Sequence, residues 1–366
     1  PYFQFEGDPT VYRLSRIDYV RSGPNANYNA IYIDPPLKQA VSQNTPIYLM
    51  SLGLPSDNVT AVLAAPDGSI WVGTQQYRVQ VDAADCFAPD LGSLIRGDDY
   101  MCDRTRYLGG GVARFNPATD SWQAWQSASK RYYYTEDNVA SNSVTGLAIE
   151  PGTGNVWASF FPQWRWSPPN RDTNSSAQGS WSSGLDGGVS YWDGTRWTTY
   201  QHNACDPGSD GPGCRDGSKP QVNAVSAVAI DSQGRKFLAV YGSNLSILQG
   251  NGGSAADWKQ VPSLSNAQGL AEAISYALAT DTQGRVWAAT ATQGGLGHEI
   301  SVGSTDCLLA DPTQSACWSH VTPEQNGLSS PTVRALLPDG GIMWVGTSDP
   351  RGNGAGIDQF TNALTK

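Results

Sequence analysis

Val59-Thr-Ala-Val-Leu-Ala-Ala-Pro-Asp-Gly-Ser-Ile-Trp-Val-Gly-Thr74 decides how this chain is read. Its first half is apolar on nearly every residue, as in a strand buried on both faces. Pro66-Asp67-Gly68 then breaks the run with a tight turn, where glycine supplies a positive φ at little steric cost. A second strand opens on Trp71. The pattern returns from Val144 to Trp157, Val225 to Phe237, Ile274 to Trp287 and Val333 to Trp344. The first apolar residue and the aromatic stand 12, 13, 12, 13 and 11 positions apart. Each copy has its own turn, at Gly152-Thr153-Gly154, Ser232-Gln233-Gly234, Thr282-Gln283-Gly284 and Pro338-Asp339-Gly340.

Two more strands follow in the clearest cycles. Gly110 to Phe115 and Trp122 to Trp125 flank a turn at 116–120; Gly187 to Trp192 and Arg196 to Tyr200 flank Asp193-Gly194. Four short strands per repeat is the pattern of a β-propeller blade, because one blade cannot bury its faces alone and needs neighbours. The fold class is therefore all-β, a propeller of five four-stranded antiparallel blades over 46–366. Six blades are the alternative, since Val11 to Leu14 and Asn29 to Ile33 can form a degenerate one. The fifth cycle stops after Gly356 to Phe360. Residues 46–52 precede Gly53-Leu-Pro55 as an outer strand should, so an N-terminal strand is expected to close the ring. Residues 1–45 are read as an extension, a docking arm by which the chain can join a cell-surface assembly as a structural subunit.

Gly53-Leu-Pro-Ser-Asp-Asn-Val59 through Thr74, and Asn326-Gly-Leu-Ser-Ser through Thr347, resemble the two-component regulator propeller repeat, roughly G-L-P-x-N-x-V and then D-x-x-G-x-x-W-x-G-T. The likeness continues near 144–159 and 274–290. It departs at 225–240, where Phe237 replaces Trp and no Gly-Thr follows. In that family the repeat forms sensor propellers ahead of membrane kinases. This chain has no kinase segment, so signalling is not implied.

Composition narrows the function. Lys+Arg 23 against Asp+Glu 33 gives a net charge of −10, without the basic cluster that nucleic-acid binding needs. No run approaches the roughly 20 apolar residues of a membrane span. The six cysteines fall in close pairs, Cys86/Cys102, Cys205/Cys214 and Cys307/Cys317. An even count in polar loops favours disulfides over free thiols, though six cysteines permit other pairings. Disulfides imply an oxidising compartment: secreted, periplasmic or cell-surface. Pro1 in place of an initiator Met fits a processed chain. Asn58, Asn174 and Asn244 open glycosylation sequons, meaningful only in a eukaryotic secretory route.

The long insertions are 75–109, 126–142, 162–186 and 202–222. They join second to third strands or a fourth strand to the next blade, so all emerge at the same end of the propeller. The Cys307–Cys317 loop joins a third to a fourth strand at the other. Long ordered loops commonly carry binding. Here they hold Tyr132, Tyr133 and Tyr134, then Trp164, Arg165 and Trp166, then Trp181, a set suited to a protein or glycan surface; packing on one another beneath the loops is the alternative.

Catalytic candidates are sparse. His298 beside Glu299 has the chemistry for acid–base work, and streptogramin lyases are propellers that use such groups, although no matching motif surrounds the pair. Asp57 and Glu272 are the carboxylates nearest the central mouth, a thin set for glycoside hydrolysis. Asp206, Asp210 and Asp216 can bind calcium with backbone carbonyls, without an EF-hand pattern; no cofactor is otherwise required. The reading is an exported non-catalytic binding propeller. An extracytoplasmic lyase or hydrolase at the propeller mouth is the alternative.

Overall fold

The computed structural model describes residues 2–5, 12–20, 28–34, 36–37, 40–41, 47–50, 54–56, 58–80, 105–108, 110–127, 139–162, 164–167, 180–183, 187–201, 224–240, 245–250, 257–261, 274–291, 297–349 and 354–361. Four strands lie N-terminal to the repeats: β1 (Tyr2–Phe5), β2 (Tyr12–Val20), β3 (Tyr28–Asp34) and β4 (Ile47–Met50). The five blades follow. Blade 1 holds β5 (Val59–Ala64), β6 (Ile70–Thr74), β9 (Gly111–Asn116) and β10 (Ser121–Trp125), with a hairpin of β7 (Tyr77–Gln80) and β8 (Thr105–Leu108) inserted. Blade 2 holds β11 (Ser143–Ile149), β12 (Val156–Phe161), β15 (Gly188–Trp192) and β16 (Trp197–Tyr200), with β13 (Trp164–Ser167) and β14 (Ser180–Ser183) inserted. Blade 3 is β17 (Val225–Ile230), β18 (Lys236–Val240), β19 (Leu245–Leu248) and β20 (Trp258–Val261). Blade 4 is β21 (Ile274–Thr280), β22 (Arg285–Ala291), β23 (Gly297–Ser304) and β24 (Trp318–Val321); blade 5 is β25 (Thr332–Asp339), β26 (Ile342–Ser348) and β27 (Gly354–Thr361). Helix α1 (Thr305–Ala310) lies between β23 and β24, and α2 (Pro323–Asn326) leads into blade 5.

The letters that recur from repeat to repeat each have a physical task. In blade 4, Asp281 accepts the backbone N–H groups of Gln283 (2.9 Å) and Arg285 (3.0 Å), closing the first-to-second turn. Its other oxygen accepts from Arg285 Nε at 2.7 Å and the indole Nε1 of Trp287 at 2.8 Å. One carboxylate thus caps the turn and satisfies a buried tryptophan. In the Gly-Thr that ends the motif, the Thr hydroxyl ties the second strand to the third: Thr74 Oγ1 to Gly111 O at 3.0 Å, Thr347 Oγ1 to Gly356 O at 3.2 Å. Gly73 is required by close approach, because a Cβ there would lie 2.4 Å from Val144 Cγ1 of the next blade.

The core lies between blades. Trp71, Val112 and Trp125 of blade 1 pack with Val144, Val156, Phe160 and Trp197 of blade 2. Trp157 and Val189 of blade 2 meet Val228, Leu238 and Trp258 of blade 3. Phe237 and Ile247 of blade 3 meet Val286 and Trp318 of blade 4, and Trp287 and Ile300 of blade 4 meet Val333, Met343 and Phe360 of blade 5. In each case the motif aromatic of one blade points into the next. Burying such a side chain is worth about 1.5–3 kcal/mol, so these contacts dominate the fold's cohesion. Lys236 adds an ionic rivet between blades 2 and 3: it pairs with Glu150, and its ammonium sits 4.9 Å above the Trp157 ring.

The closure expected at 46–52 takes another form. β4 pairs with β1, Phe3 opposite Leu49 and Phe5 opposite Ile47, not with β27. Blade 5 therefore has three strands among the described residues. The segment expected to be an extension contains three strands, and with β4 they form a four-stranded sheet in the order β3-β2-β1-β4. β4 does take the place in the chain of an outer strand, but an antiparallel edge accepts any partner of suitable register, and β1 supplies one.

Candidate binding face

Every inner strand begins with a β-bulge. The pairing of first and second strands shifts between Val59 and Ala61, Val144 and Gly146, Val225 and Ala227, Ser275 and Ala277, and Val333 and Ala335. The five bulged positions are Thr60, Thr145, Ser226, Tyr276 and Arg334. Bulges re-aim a side chain and recur beside functional sites. Because an inner strand starts where the preceding outer strand has finished, all five lie at the insertion-bearing end.

Three of these residues turn their hydroxyls to backbone. Thr60 Oγ1 donates to Val144 O of the next blade at 2.8 Å, and Thr145 Oγ1 to Val225 O at 2.6 Å. Ser226 Oγ donates to Ala239 O at 3.2 Å. Arg334 differs. Its Nε donates to Ser348 Oγ at 2.9 Å, the side chain is exposed, and no carboxylate pairs with it among the described residues. An uncompensated guanidinium is a ready donor of paired hydrogen bonds to a carboxylate, phosphate or polar glycan group.

The insertions leave and re-enter the blades at defined anchors. Gln126 Nε2 donates to Gly110 O at 2.8 Å, and Gln201 Nε2 to Gly187 O at 2.7 Å, one side chain holding the end of each second-to-third insertion. Gly110 has φ 83°, and a Cβ there would fall 1.9 Å from Asn142 O, so only glycine fits. Within the second insertion, Trp166 of β13 stands directly opposite Trp181 of β14, and Trp164 opposite Ser183. Cross-strand pairing thus brings together two tryptophans fifteen positions apart.

At the opposite end, the carboxylates of Asp193, Asp67 and Glu150 are engaged by the turns they close. Hydrogen bonds from the Thr195 hydroxyl and the Arg196 and Thr195 amides hold Asp193 down at about 2. Asp67 is lowered chiefly by the Ser69 hydroxyl and amide. Burial alone would raise Glu150, but hydrogen bonding and charge from Lys236 leave it below its ordinary value.

Of the sequence candidates, Glu299 is placed most clearly. It is buried, and it accepts from Ser301 Oγ at 3.2 Å and pairs with His320 Nδ1 across β23 and β24. His320, 21 residues away in the sequence, is thus a histidine that pairs with it. His298 lies in β23 by its backbone. Trp164, Arg165, Trp166 and Trp181 lie on the β13–β14 hairpin. Asp57, Glu272, Tyr132, Tyr133, Tyr134, Asp206, Asp210 and Asp216 fall outside the described residues, as do Cys86, Cys102, Cys205 and Cys214. Cys307 and Cys317 are joined by a disulfide, in the third-to-fourth connection where the sequence put it. Among the described residues no group of three or more metal-ligating side chains converges, and no helix is long and apolar enough to cross a membrane.

Comparison with known proteins places the repeat. The model of the two-component regulator propeller matches residues 53–76, the first of the stretches that carried the resemblance. No curated protein matches the chain. Among solved structures, it is similar to PorZ, a surface component of the type-IX secretion system of Porphyromonas gingivalis (14% identity, 99% of this chain, 38% of that one, TM-score 0.44). It is also similar to the extracellular domain of a hybrid two-component system of B. thetaiotaomicron (15% identity, 87% of this chain, 40% of that one, TM-score 0.32). A third is the PQQ-bound aldose sugar dehydrogenase of Streptomyces coelicolor (14% identity, 84% and 95%, TM-score 0.30). The chain spans about two fifths of the length of the first two.

Proposed function

We propose that this chain is an exported, non-catalytic binding propeller, which contacts a partner protein or glycan through its insertion-bearing end. One observation carries the reading: the five bulged inner-strand residues and the two inserted hairpins converge on that same end. There the strand scaffold presents Arg334, with no carboxylate partner among the described residues, and the insertion that forms the Trp-bearing β13–β14 hairpin leaves blade 2 at that same end. Binding sites are commonly loops held by such a scaffold. The Glu299 carboxylate, the best-defined acid of that half of blade 4, is engaged by Ser301 and His320, which suits a structural role better than proton transfer. The Cys307–Cys317 disulfide fits an oxidising, extracytoplasmic setting.

The test is a binding screen of the full chain against a glycan array and a cell-envelope protein fraction, repeated with Trp164, Trp166 and Trp181 all replaced by alanine. Aromatic anchors at the centre of an interface each cost about 2 kcal/mol or more on truncation, so the variant should bind at least tenfold more weakly. Equal binding by both proteins would sink the assignment of the face.

A further inference from the structure

The two end blades carry apolar faces that nothing in the repeat covers. Five blades have four apolar clusters between them, and none joins blade 5 to blade 1 among the described residues. Pairing register identifies what each end face presents. On blade 5, Leu337 lies opposite Trp344 and Ala335 opposite Gly346, which is in turn opposite Ile357. Leu337 is 62% exposed and Ile357 76%. On blade 1, Val62 lies opposite Val72, and Ala64 opposite Ile70, which is opposite Phe115. Val62 is 66% exposed and Ile70 37%, whereas Val156, the residue of blade 2 that corresponds to Ile70, is 2% exposed. Apolar residues with the spacing of a blade interface are therefore present at both ends without the interface.

The N-terminal sheet has the form required to fill it. It has four antiparallel strands, the number in a blade. Its register places Phe3, Phe5, Ile47 and Leu49 on one face, with Leu14 and Ile33 on that same face through the β1–β2 and β2–β3 pairings. The other face is mixed, with Arg13, Asp34, Arg16 and Asp18 alongside Tyr2, Tyr32, Tyr48 and Met50. An apolar sheet face of this size must find a cover. The tether is short: eight residues separate β4 from β5, comparable with the ten between β24 and β25. The sheet is thus held next to blade 1 by a connection of inter-blade length.

We propose that the sheet of β1–β4 seats its apolar face in the seam between blades 5 and 1, closing the five-bladed arc as a wedge. Its occupant is this chain's own residues 2–50, not a second copy. The role fits Trp344, the motif aromatic whose counterparts Trp71, Trp157 and Trp287 all point into the following blade. For Trp344, the following element is this sheet.

Hydroxyl-radical footprinting of the full-length chain tests the proposal, with molecular mass measured by light scattering at the same concentrations. The expected result is a monomer in which Leu337, Ile357 and Val62 are oxidised at least fivefold more slowly than exposed leucine and valine in a denatured control. A double variant, Phe3→Asp with Leu49→Asp, should raise their labelling severalfold while Trp157, Trp287 and Phe237 stay protected, showing that the blades remain folded. Rapid labelling of the three residues in the unmodified chain would overturn the proposal. So would protection that disappears on dilution with halving of the mass, which assigns the seam to a second copy. Protection unchanged in the double variant would also overturn it, since blade 5 would then meet blade 1 directly.

Discussion

The interface between blades 1 and 2 and the outward face of blade 5 are built from the same repeat letters, yet they do different work. Trp71 stacks on Trp125 at 5.4 Å and meets Trp197 edge-on at 6.1 Å, all within one buried cluster. Trp344, at the same place in its repeat, is only partly buried. Gly73 is pressed against Val144 of the next blade; Gly346, its counterpart, meets only Ala335 of its own blade, at 3.5 Å. A repeat sequence therefore specifies the surface a blade offers, while the neighbour decides whether that surface becomes core. This is the nearest-neighbour logic of repeat proteins applied to a ring.

The comparison breaks most visibly at the tryptophans. Trp71→Ala should cost about 3–5 kcal/mol in chemical denaturation, the range for removing a large buried aromatic. Trp344→Ala should cost more than about 2 kcal/mol if the N-terminal sheet covers it. A loss below about 0.5 kcal/mol, typical of an exposed position, would mean that the seam stands open.

The contact between blades 2 and 3 offers the next largest effect. Lys236 and Glu150 are both largely buried, and Lys236→Met leaves an acid without its partner, at a cost on the order of 3 kcal/mol at neutral pH. Glu150 has a folded-state pKa below its ordinary value of 4.5. Its pair therefore stabilises the fold above that value, and the contribution is lost as pH falls through the lower, folded pKa. Denaturation midpoints of the two proteins should accordingly converge in acid. A gap that is constant from pH 7 to pH 3 would show that the loss comes from packing of the lysine stem over Trp157.

Replacing Cys307 and Cys317 by serine opens a short loop at the end away from the insertions. About 2–3 kcal/mol of stability should be lost, with ligand binding unchanged. Reduced binding would move the functional face to that end. The smallest contrast is between the two glycines. Gly73→Ala must displace Val144 and should cost about 1–3 kcal/mol, while Gly346→Ala has ordinary space and should stay within about 0.5 kcal/mol of the parent. An equal cost at both sites would indicate that the seam is packed as tightly as an inner interface.

Much of the fold was legible because the repeat confines its information to short range. The apolar first strand, the Asp-x-x-Gly turn and the aromatic lie within sixteen residues, and each is demanded by local chemistry: Asp281 caps its turn and receives the indole of Trp287 six positions on. What depends on distant pairing was not legible. Ile47–Met50 reads as an outer strand by its place in the chain, but whether β27 or β1 takes it is settled by register between segments far apart. The sequence shows His298 beside Glu299, but adjacency cannot show which residue of another strand reaches that carboxylate. The residue that reaches it, His320, sits on the adjoining strand. The bulges were hidden for a related reason: Thr60 and Arg334 are single letters inside a strand run, and only the shift in pairing against the second strand marks them.

The central claim, that the insertion-bearing end is the binding face, is tested most directly by site-specific photo-crosslinking. A benzoylphenylalanine is placed at Arg334 in one protein, and at Ala118, in the exposed β9–β10 turn of the opposite end, in another. Both full-length proteins are irradiated with the cell-envelope fraction or the glycan that the binding screen retains. Crosslinks from position 334 and none from position 118 are the predicted result. Crosslinks from position 118 alone, or in equal yield from both, would contradict it.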